Sequence, residues 1–452
     1  MYLKNIIEEW KNPLKFKTKT QVSKDEILKI IEAGRWSPSA GNQQVWRFLV
    51  IDDEKGKKKI IKSILNGDPR LTTTLQEFKK PVLQKNFIFS TENYNARTDK
   101  YKEDISKNYS DILNCAETAS FFIICTHKNT LIGKSFGFVD MGGTIANMII
   151  ISYDLGYHLR WIRIFDRENI REKFHIPKSV YIDAIIAVGE ADKLSNTPEY
   201  RMKEIKDCYF HNLWDEAFEE NYTNSNLQDY KIEAIDAVVD RRSIRSYNEN
   251  RSISNSINTE LLKAGMMVPL TINMPYIKTV IIDNKNILRK IAKSARIITK
   301  QHHVQNVPLI YVITYDCSNN SPGFYAEIDS GAIIQNLLLR AHTLGIGTCW
   351  IGAFNRKIVK NVLQIPEDWH IPSIAIFGYP KKYPKPTPRL DIGKICYYNS
   401  WNKQIKKRQR TVMPDNYALS VSFRKLKKTR VNTILRTRRV GDIKGIPEFE
   451  NL

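Results

Sequence analysis

Three arginines and a serine stand within five residues of this 452-residue chain, at Arg241-Arg242-Ser243-Ile244-Arg245. Guanidinium groups donate paired hydrogen bonds that match the geometry of a phosphate, and a serine hydroxyl adds a further donor. The segment therefore suits a phosphate dianion. On composition alone, a solvated basic turn before a helix is the simpler interpretation, so other parts of the chain must decide between the two.

A loop of small residues in the first half reads Ser37-Pro38-Ser39-Ala40-Gly41-Asn42. Its side chains are small enough to lie close to a planar ring, and the amide of Asn42 offers both a donor and an acceptor. In the second half, Gly352 follows Ile351 and lets the backbone approach such a ring closely. An ordinary helix-to-strand turn is the alternative interpretation of the loop.

The two halves of the chain repeat each other. The segment from Asp140 to Gly156 matches the segment from Asp329 to Gly345 over the same interval. Further matches in the same order join Ser37–Asn42 to Val268–Asn273, Ile176-Pro177 to Ile371-Pro372, and Arg201–Tyr209 to Arg389–Tyr397. Several blocks in one order indicate an internal duplication.

Hydrophobic patterning predicts that each copy is an α+β unit. A helix over 24–34 is followed by a β-rich run over 46–52, and apolar segments over 145–153 and 333–343 predict buried helices that end at C-cap glycines. Runs rich in Ile, Val and Phe predict strands over 121–125, 184–188, 309–315 and 373–377. Each copy should therefore form a mixed, mainly antiparallel sheet flanked by helices.

The predicted domain limits follow from the repeat and from composition. The first copy spans residues 1–215 and carries an insertion over about 59–115 that the second copy lacks. A polar stretch within 216–230 has no hydrophobic periodicity and separates it from the second copy at 230–400. Residues 401–452 form a basic C-terminal extension.

Composition indicates a folded cytoplasmic protein. Hydrophobic residues make up 42% of the chain, which is too many for a disordered protein. The six cysteines are scattered, with no spacing typical of a metal site or a disulfide framework. The N-terminus lacks the apolar core of a signal peptide, and the apolar runs are shorter than the roughly 20 residues of a membrane span.

The charge is concentrated at one end of the chain. Of a net charge of +22, residues 402–452 contribute fourteen Lys or Arg against four Asp or Glu. This tail predicts an anionic partner. It holds few aromatic residues to stack on bases, so specific nucleic-acid recognition is not expected.

The ordered motifs resemble those of the nitroreductase superfamily. The Arg241–Tyr247 segment is similar to its N-terminal phosphate-binding signature, and Ser37–Gln44 with Trp46 to its second signature. The block from Asp329 to Gly352 resembles the third signature, and the proline-rich stretch that ends at Arg389 resembles the fourth. The resemblance covers roughly residues 1–400.

This resemblance implies an FMN-dependent oxidoreductase. Members of the family are usually homodimers that bind FMN between subunits, so a tandem copy implies a pseudo-dimer within one chain. Hydride would pass through flavin N5 in a ping-pong reaction, with NAD(P)H as a candidate donor, and no catalytic side chain or metal is required. The residues expected to bind the cofactor are Pro38, Ser39, Ala40, Asn42, Arg241, Arg242, Ser243, Arg245, Ile351, Gly352 and Arg389.

The two sites that a pseudo-dimer would form are unequal. The composite site joins the Ser37–Asn42 loop of the first copy to the arginines of the second, and it keeps every feature. The mirror site joins Trp10–Phe16 to Val268–Asn273, where the arginines and the serines are missing. At the position of Gly352 the mirror site carries Arg163, whose long side chain would crowd a ring. The sequence therefore predicts one FMN per chain.

The substrate is less well defined by the sequence. The insertion, which is rich in aromatic residues, is either a lid over a flavin site or an elaboration of the surface. Loss of one site favours a specialised small-molecule or peptide substrate over a broad range. Two alternatives remain, namely a protein that binds or stores flavin without turnover and a scaffold that binds no flavin.

Overall fold

The computed structural model describes residues 1–18, 20–67, 109–195, 208–218, 227–269, 277–295, 302–305, 307–316 and 323–404. The elements of the first half are α1 (Leu3–Glu9), β1 (Pro13–Phe16), α2 (Lys24–Arg35), β2 (Trp46–Ile51), α3 (Glu54–Asn66), α4 (109–118), β3 (Phe121–Lys128), α5 (Leu131–Asp154), β4 (His158–Ile162), α6 (Arg167–Phe174), β5 (Val180–Gly189), β6 (Ala191–Leu194) and β7 (Tyr209–His211). Those of the second half are α7 (Ala234–Asp240), α8 (Asn255–Met266), β8 (Ile277–Ile282), α9 (Lys285–Ser294), β9 (Leu309–Asp316), α10 (Gly323–Thr343), β10 (Gly347–Ile351), α11 (Arg356–Leu363), β11 (Trp369–Gly378) and β12 (Cys396–Tyr398).

Two five-stranded sheets correspond strand for strand. The first has the order β12-β2-β3-β5-β4 and the second the order β7-β8-β9-β11-β10. All neighbours are antiparallel except at one edge, where β12 runs parallel to β2 and β7 runs parallel to β8. The mixed, mainly antiparallel sheets and the duplication predicted from sequence are therefore confirmed.

The parallel edge strands are exchanged between the copies. Strand β12 follows the second copy in sequence and pairs with Phe48–Val50 of the first sheet, while β7 follows the first copy and pairs with Thr279–Ile281 of the second. Each sheet is thus completed by a strand from the end of the other copy. This reciprocal pairing makes the two copies an intrachain pseudo-dimer.

The long helices α5 and α10 cross at a pair of equivalent glycines. A Cβ on Gly142 would lie 1.8 Å from the carbonyl oxygen of Ile328, and one on Gly331 would lie 1.9 Å from that of Val139. No larger residue fits at either position, because backbone touches backbone there. The reciprocity of these contacts places a pseudo-twofold axis at the crossing.

Local signals in the sequence explain where the helices begin and end. Ser23 caps α2 in a reciprocal capping box with Glu26, and Ser254 caps the equivalent helix α8 through its hydroxyl. The predicted buried helices are the C-terminal parts of α5 and α10. Gly156 and Gly345 follow them with φ of 85° and 74°, which confirms the predicted glycine caps.

One pairing of the sequence repeat was wrong. Ile176-Pro177 follows His175, which ends α6 in a left-handed conformation with φ 58°. In the second copy the left-handed residue that ends α11 is Gln364, with φ 59°, so the equivalent dipeptide is Ile365-Pro366. The Ile371-Pro372 dipeptide lies inside β11 instead. A dipeptide match cannot fix register without the helix end that precedes it.

Several predicted features lie outside the described residues. They are residues 68–108 of the predicted insertion, the boundary residues 219–226, Arg201, the loop over 270–276, and the basic extension from 405 onwards. The predicted start of the insertion at about 59 was wrong, because residues 59–66 belong to α3, whose counterpart in the second copy is α9. Within the described part, the stretch Phe136–Asp154 of α5 has the length and apolar composition of a membrane span, and most of it is buried inside the fold.

Candidate active site

Arg241 follows directly after α7 and is 5% exposed. Its Nε and Nη1 atoms have no hydrogen-bond partner among the residues that the structure describes. Burial, together with the nearby guanidinium groups of Arg389 and Arg242, lowers the pKa of Arg241 to about 9. A buried cation among other cations is costly unless an anion neutralises it. The arrangement therefore marks an anion-binding site.

The other residues of the arginine segment have different surroundings. Arg242 is buried, with its guanidinium 6.0 Å from the ring centre of Trp36. Ser243 pairs with Thr348 of β10 through an isolated β-bridge, and Arg245 is exposed. The segment is thus fixed against β10, with Arg242 inside and Arg245 facing solvent.

Arg389 joins the second copy to the loop of the first. Its Nη1 donates to Oδ1 of Asn42 at 2.9 Å, and its Nη2 donates to the carbonyl oxygen of Trp36 at 3.0 Å. Its Nε has no partner within the described part of the chain. Burial and the charge of Arg242 lower the pKa of Arg389 to about 10. Because the charges of Arg389 and Arg241 repel each other, one anion would relieve both.

Hydrogen bonds hold the loop of small residues in shape. Ser39 Oγ accepts from the amide of Gln44 at 3.0 Å, and Asn42 adopts the left-handed conformation with φ 56°. The side-chain amides of Asn42 and Gln44 both donate to the carbonyl oxygen of Pro388 at 3.2 Å. Gln44 was not among the predicted site residues, although its position two residues after Asn42 was a usable signal. Of the predicted loop residues, Pro38 is buried, while Ser39, Ala40 and Asn42 are half-buried.

The C-terminal end of β10 packs against helix α5 of the first copy, beside the loop of small residues. Ile351 is buried, and a Cβ on Gly352 would lie 2.7 Å from Cε1 of Phe136 on α5. Similarly, a Cβ on Gly143 would lie 3.1 Å from the ring of Trp350. A side chain at position 352 would therefore force the ring of Phe136 to move.

Asp140 is a buried acidic residue that was not predicted as part of the site. Its carboxyl accepts from the amide of Ala40 at 3.0 Å. Burial raises the pKa of Asp140 to about 8, and the hydrogen bond from Ala40 only partly opposes this shift. Its signal in the sequence was its place at the head of the repeated block, where it had served only to align the copies.

The mirror site has the same backbone with different side chains. Trp10 takes the position of Arg241, because each follows a seven-residue helix with nearly the same φ and ψ, −58° and 131° against −58° and 136°. Phe16 and Tyr247, six residues further along each copy, pack against equivalent glycines. Trp10 is 3% exposed and belongs to the hydrophobic core, so an indole occupies the place that the guanidinium of Arg241 has in the composite site.

In the mirror site, an ion pair lies at the place that corresponds to Gly352 in the composite site. Arg163, the counterpart of Gly352, donates from Nη2 to Asp329 at 2.5 Å and to the carbonyl oxygen of Pro269 at 2.9 Å. Its guanidinium also lies 3.7 Å from the ring centre of Trp161, and the Tyr325 hydroxyl donates to its carbonyl oxygen at 2.7 Å. Arg163 therefore fills the space between strand and loop that the composite site leaves to Gly352.

Comparisons with known proteins agree with this architecture. A family model described as the nitroreductase family matches residues 14–190 and 238–379. A protein of Methanothermobacter thermautotrophicus described as a NADH dehydrogenase/NAD(P)H nitroreductase is 27% identical over 170 residues, covering 36% of this chain and 86% of that protein. An NADPH-flavin oxidoreductase of Vibrio harveyi is 23% identical over 183 residues, covering 37% of this chain and 75% of its own.

A solved structure extends the likeness to both copies. A nitroreductase-like crystal structure from Anabaena variabilis covers 84% of this chain and 100% of its own, with a TM-score of 0.53 and 12% sequence identity. This likeness shows the fold. The two matched segments of the family model span most of the chain, so the chain belongs to the nitroreductase family. Membership confirms the predicted oxidoreductase class and flavin cofactor.

Proposed function

We propose that this chain is an FMN-dependent oxidoreductase with one cofactor site, the composite site between the two copies. The observation that supports this most directly is the buried guanidinium of Arg241, which has two nitrogens without partners in the described part of the chain. At the equivalent place the mirror site holds Trp10, which needs no anion. Among the described residues, a buried arginine at this position is therefore found in the composite site and not in the mirror site.

The composite site suits the two ends of FMN differently. Arg241 and Arg389 hold the charge and the unpartnered donors that a phosphate dianion needs, with Arg245 at the exposed end of the segment. The loop from Pro38 to Asn42 and the backbone at Gly352 offer a narrow space for a flat ring. Arg389 connects these two groups of residues. It donates a hydrogen bond to Asn42 of the loop, and its positive charge helps to lower the pKa of Arg241.

When bound, FMN supplies the redox chemistry by taking a hydride at N5 from one substrate and passing it to another. The residues of this chain bind and orient the cofactor and keep water away from its reacting edge. Phe136 packs against Gly352 from the other copy, and it would help to exclude water if the ring binds beside Gly352. NAD(P)H is the candidate donor, in line with the NADPH-flavin oxidoreductase of Vibrio harveyi among the relatives. Donor and acceptor would alternate in a ping-pong reaction at this one site.

The acceptor we propose is a specialised small molecule or peptide. With one site in place of two, the chain would have half of the binding capacity of a symmetric dimer. Residues 67–120 between α3 and β3 far outnumber residues 295–308 between α9 and β9, so any effect of this longer segment on the site is one-sided. A dedicated substrate is consistent with both features.

Bound flavin per chain, measured by absorbance after adding FMN and desalting, tests the proposal. We expect one FMN per chain. The double variant Arg241→Ala with Arg245→Ala should lose it, because the phosphate loses two of its cations. The matched control Lys11→Ala with Lys15→Ala removes two cations from the mirror segment and should keep one FMN. Two flavins in the unmodified chain would refute the single site, and none would favour a scaffold.

Reduction of the bound flavin distinguishes an enzyme from a storage protein. The protein is mixed anaerobically with NADH or NADPH, and the loss of oxidised-flavin absorbance is followed before and after a quinone or nitro acceptor is added. Separate reduction and reoxidation phases, each dependent on its own substrate, are expected for a ping-pong oxidoreductase. A flavin that neither nucleotide reduces would favour a binding protein without turnover.

A further inference from the structure

Asp140 and Asp329 are equivalent residues, but of the two only Asp329 has a described ion-pair partner. Each opens the repeated block in its copy, and each is buried on a central helix, α5 or α10. Asp329 has the guanidinium of Arg163 at 2.5 Å. Within the described residues, no cation lies within ion-pair distance of Asp140, because the counterpart of Arg163 is Gly352. The same acid is thus neutralised by a cation in one copy only.

The charged groups on the elements around Asp140 are engaged elsewhere. On α10, Asp329 is paired with Arg163. On α2, Glu32 is paired with Arg35. Beyond the loop, Arg389 donates to Asn42 and Trp36. An isolated buried carboxyl with no cation to balance it is most stable as the neutral acid.

The described hydrogen-bond donor to the carboxyl group of Asp140 is the backbone amide of Ala40, which lies 3.0 Å from Oδ2 and 3.3 Å from Oδ1. Ala40 begins the turn that is expected to lie against the flavin ring. A neutral carboxylic acid accepts this hydrogen bond through its carbonyl oxygen, more weakly than a carboxylate would. It can therefore hold the loop without adding charge to the pocket.

We propose that Asp140 is a positioning residue that is held as a neutral acid, so that it fixes the Ala40 turn without placing a negative charge beside the flavin. The inference rests on the proposed function, because it assigns the ring end of FMN to this loop. A reduced flavin gains negative charge when it takes a hydride, and a carboxylate behind the loop would oppose that gain. A neutral acid does not.

The charge state of Asp140 can be tested without any cofactor. Infrared difference spectra of the flavin-free protein at pH 7, unmodified minus Asp140→Asn, should contain the carbonyl stretch of a protonated carboxylic acid. Subtracting the variant isolates this group from the other buried acids, among which burial raises the pKa of Glu327 to about 7. A difference spectrum with only carboxylate bands would overturn the inference, whatever the outcome of the flavin experiments.

Substitutions then test the consequence for the flavin. Asp140→Asn keeps an acceptor for the Ala40 amide and matches the neutral acid in charge. The Kd for FMN should therefore change less than threefold, and so should the ratio of the Kd values for oxidised and reduced FMN, which sets any shift in midpoint potential. Asp140→Leu leaves the amide without its acceptor and should weaken FMN binding about tenfold. The matched control Asp329→Asn should leave the FMN affinity unchanged while destabilising the fold.

A rise in potential on Asp140→Asn would contradict the proposal. If reduced FMN bound tenfold more tightly relative to oxidised FMN in that variant, which is 29.6 mV for a two-electron couple, the native residue must be a carboxylate. If the unmodified protein binds no FMN at all, the proposed function fails while the infrared test of Asp140 still decides its protonation.

Discussion

The composite site and the mirror site share a backbone and differ in the side chains that decide binding. Arg241 stands at one site where Trp10 stands at the other, on main chain of nearly the same φ and ψ. Gly352 likewise corresponds to Arg163. The comparison shows that the pseudo-dimer needs symmetry in its backbone contacts, such as the glycine crossing of α5 and α10, and does not need it in its pockets.

The two sites also differ in how their buried charges are balanced. In the mirror site Arg163 is neutralised by Asp329, so the charge is balanced within the protein. In the composite site Arg241 has no acidic partner among the described residues, and a bound anion would balance its charge. A ligand that binds only the folded state stabilises it, so FMN bound at the proposed site would raise the stability of the chain.

Breaking the ion pair of the mirror site should have the largest effect on stability. Arg163→Met leaves the buried Asp329 carboxylate without its guanidinium and should lower the free energy of unfolding by about 3–5 kcal/mol. Urea unfolding of the flavin-free protein measures this change. The double variant Arg163→Met with Asp329→Leu should recover most of the loss, because two packed apolar residues replace the pair.

The same variant sharpens the comparison of the two sites. Arg163→Met should still bind one FMN per chain, because Trp10 continues to occupy the phosphate end of the mirror site. A second FMN would mean that Arg163 alone closes that site. A loss of stability below about 1 kcal/mol would mean that the Arg163–Asp329 ion pair contributes little to holding the mirror site closed.

Transferring the arginine to the composite site should abolish most of its affinity for FMN. In Gly352→Arg, the new guanidinium can reach Asp140 and the loop as Arg163 reaches Asp329 and Pro269. We expect FMN binding to weaken by about a hundredfold or more, which corresponds to about 2.7 kcal/mol. Titration of FMN fluorescence measures the affinity.

Gly352→Ala is the control for that substitution. It introduces only the Cβ that would crowd Phe136 and therefore separates packing from charge. A smaller loss of affinity in Gly352→Ala than in Gly352→Arg is expected. Equal losses in the two variants would show that the contact with Phe136, and not the long cation, excludes the cofactor.

The smallest expected difference concerns the equivalent helices α2 and α8. Ser23 has a full capping box with Glu26, whereas the hydroxyl of Ser254 accepts a single longer hydrogen bond of 3.4 Å from the amide of Ile257. Ser23→Ala should cost about 1 kcal/mol and Ser254→Ala about 0.5 kcal/mol. Thermal unfolding of the two variants in parallel measures the difference, and a larger loss for Ser254→Ala would reverse the ranking.

Much of the fold was predictable because its signals are local. The periodicity of α2, the apolar β-strands and the glycines after α5 and α10 are properties of neighbouring residues. The repeat then required two similar units. The register of short matches was not predictable, as the Ile-Pro dipeptides show, because many helices and strands contain such pairs. The exchange of β7 and β12 was also not predicted, since pairing at a sheet edge depends on residues far apart in sequence.

For the candidate site, the sequence identified residue types better than their surroundings. It singled out Arg241 and Gly352, and it predicted that Arg163 would obstruct the mirror site. It did not predict that Phe136 packs on Gly352, that Gln44 holds the proline-rich stretch, or that Asp140 holds Ala40. Each of these contacts joins residues that are at least 100 positions apart, so no local pattern reports them.

By itself, the sequence determined that this chain is a duplicated α+β protein of the nitroreductase family with one intact set of flavin-binding motifs. These properties depend on the order and chemical type of residues, which are written in the chain directly. The tertiary structure decided which charges are balanced. Asp140 and Asp329 open the same repeated block, so the sequence does not distinguish them, and the same holds for the arginines. The free energy of a buried charge depends on the partner that folding brings beside it. The guanidinium of Arg163 pairs with Asp329, whereas the counterpart of Arg163 near Asp140 is Gly352, which has no cation to offer.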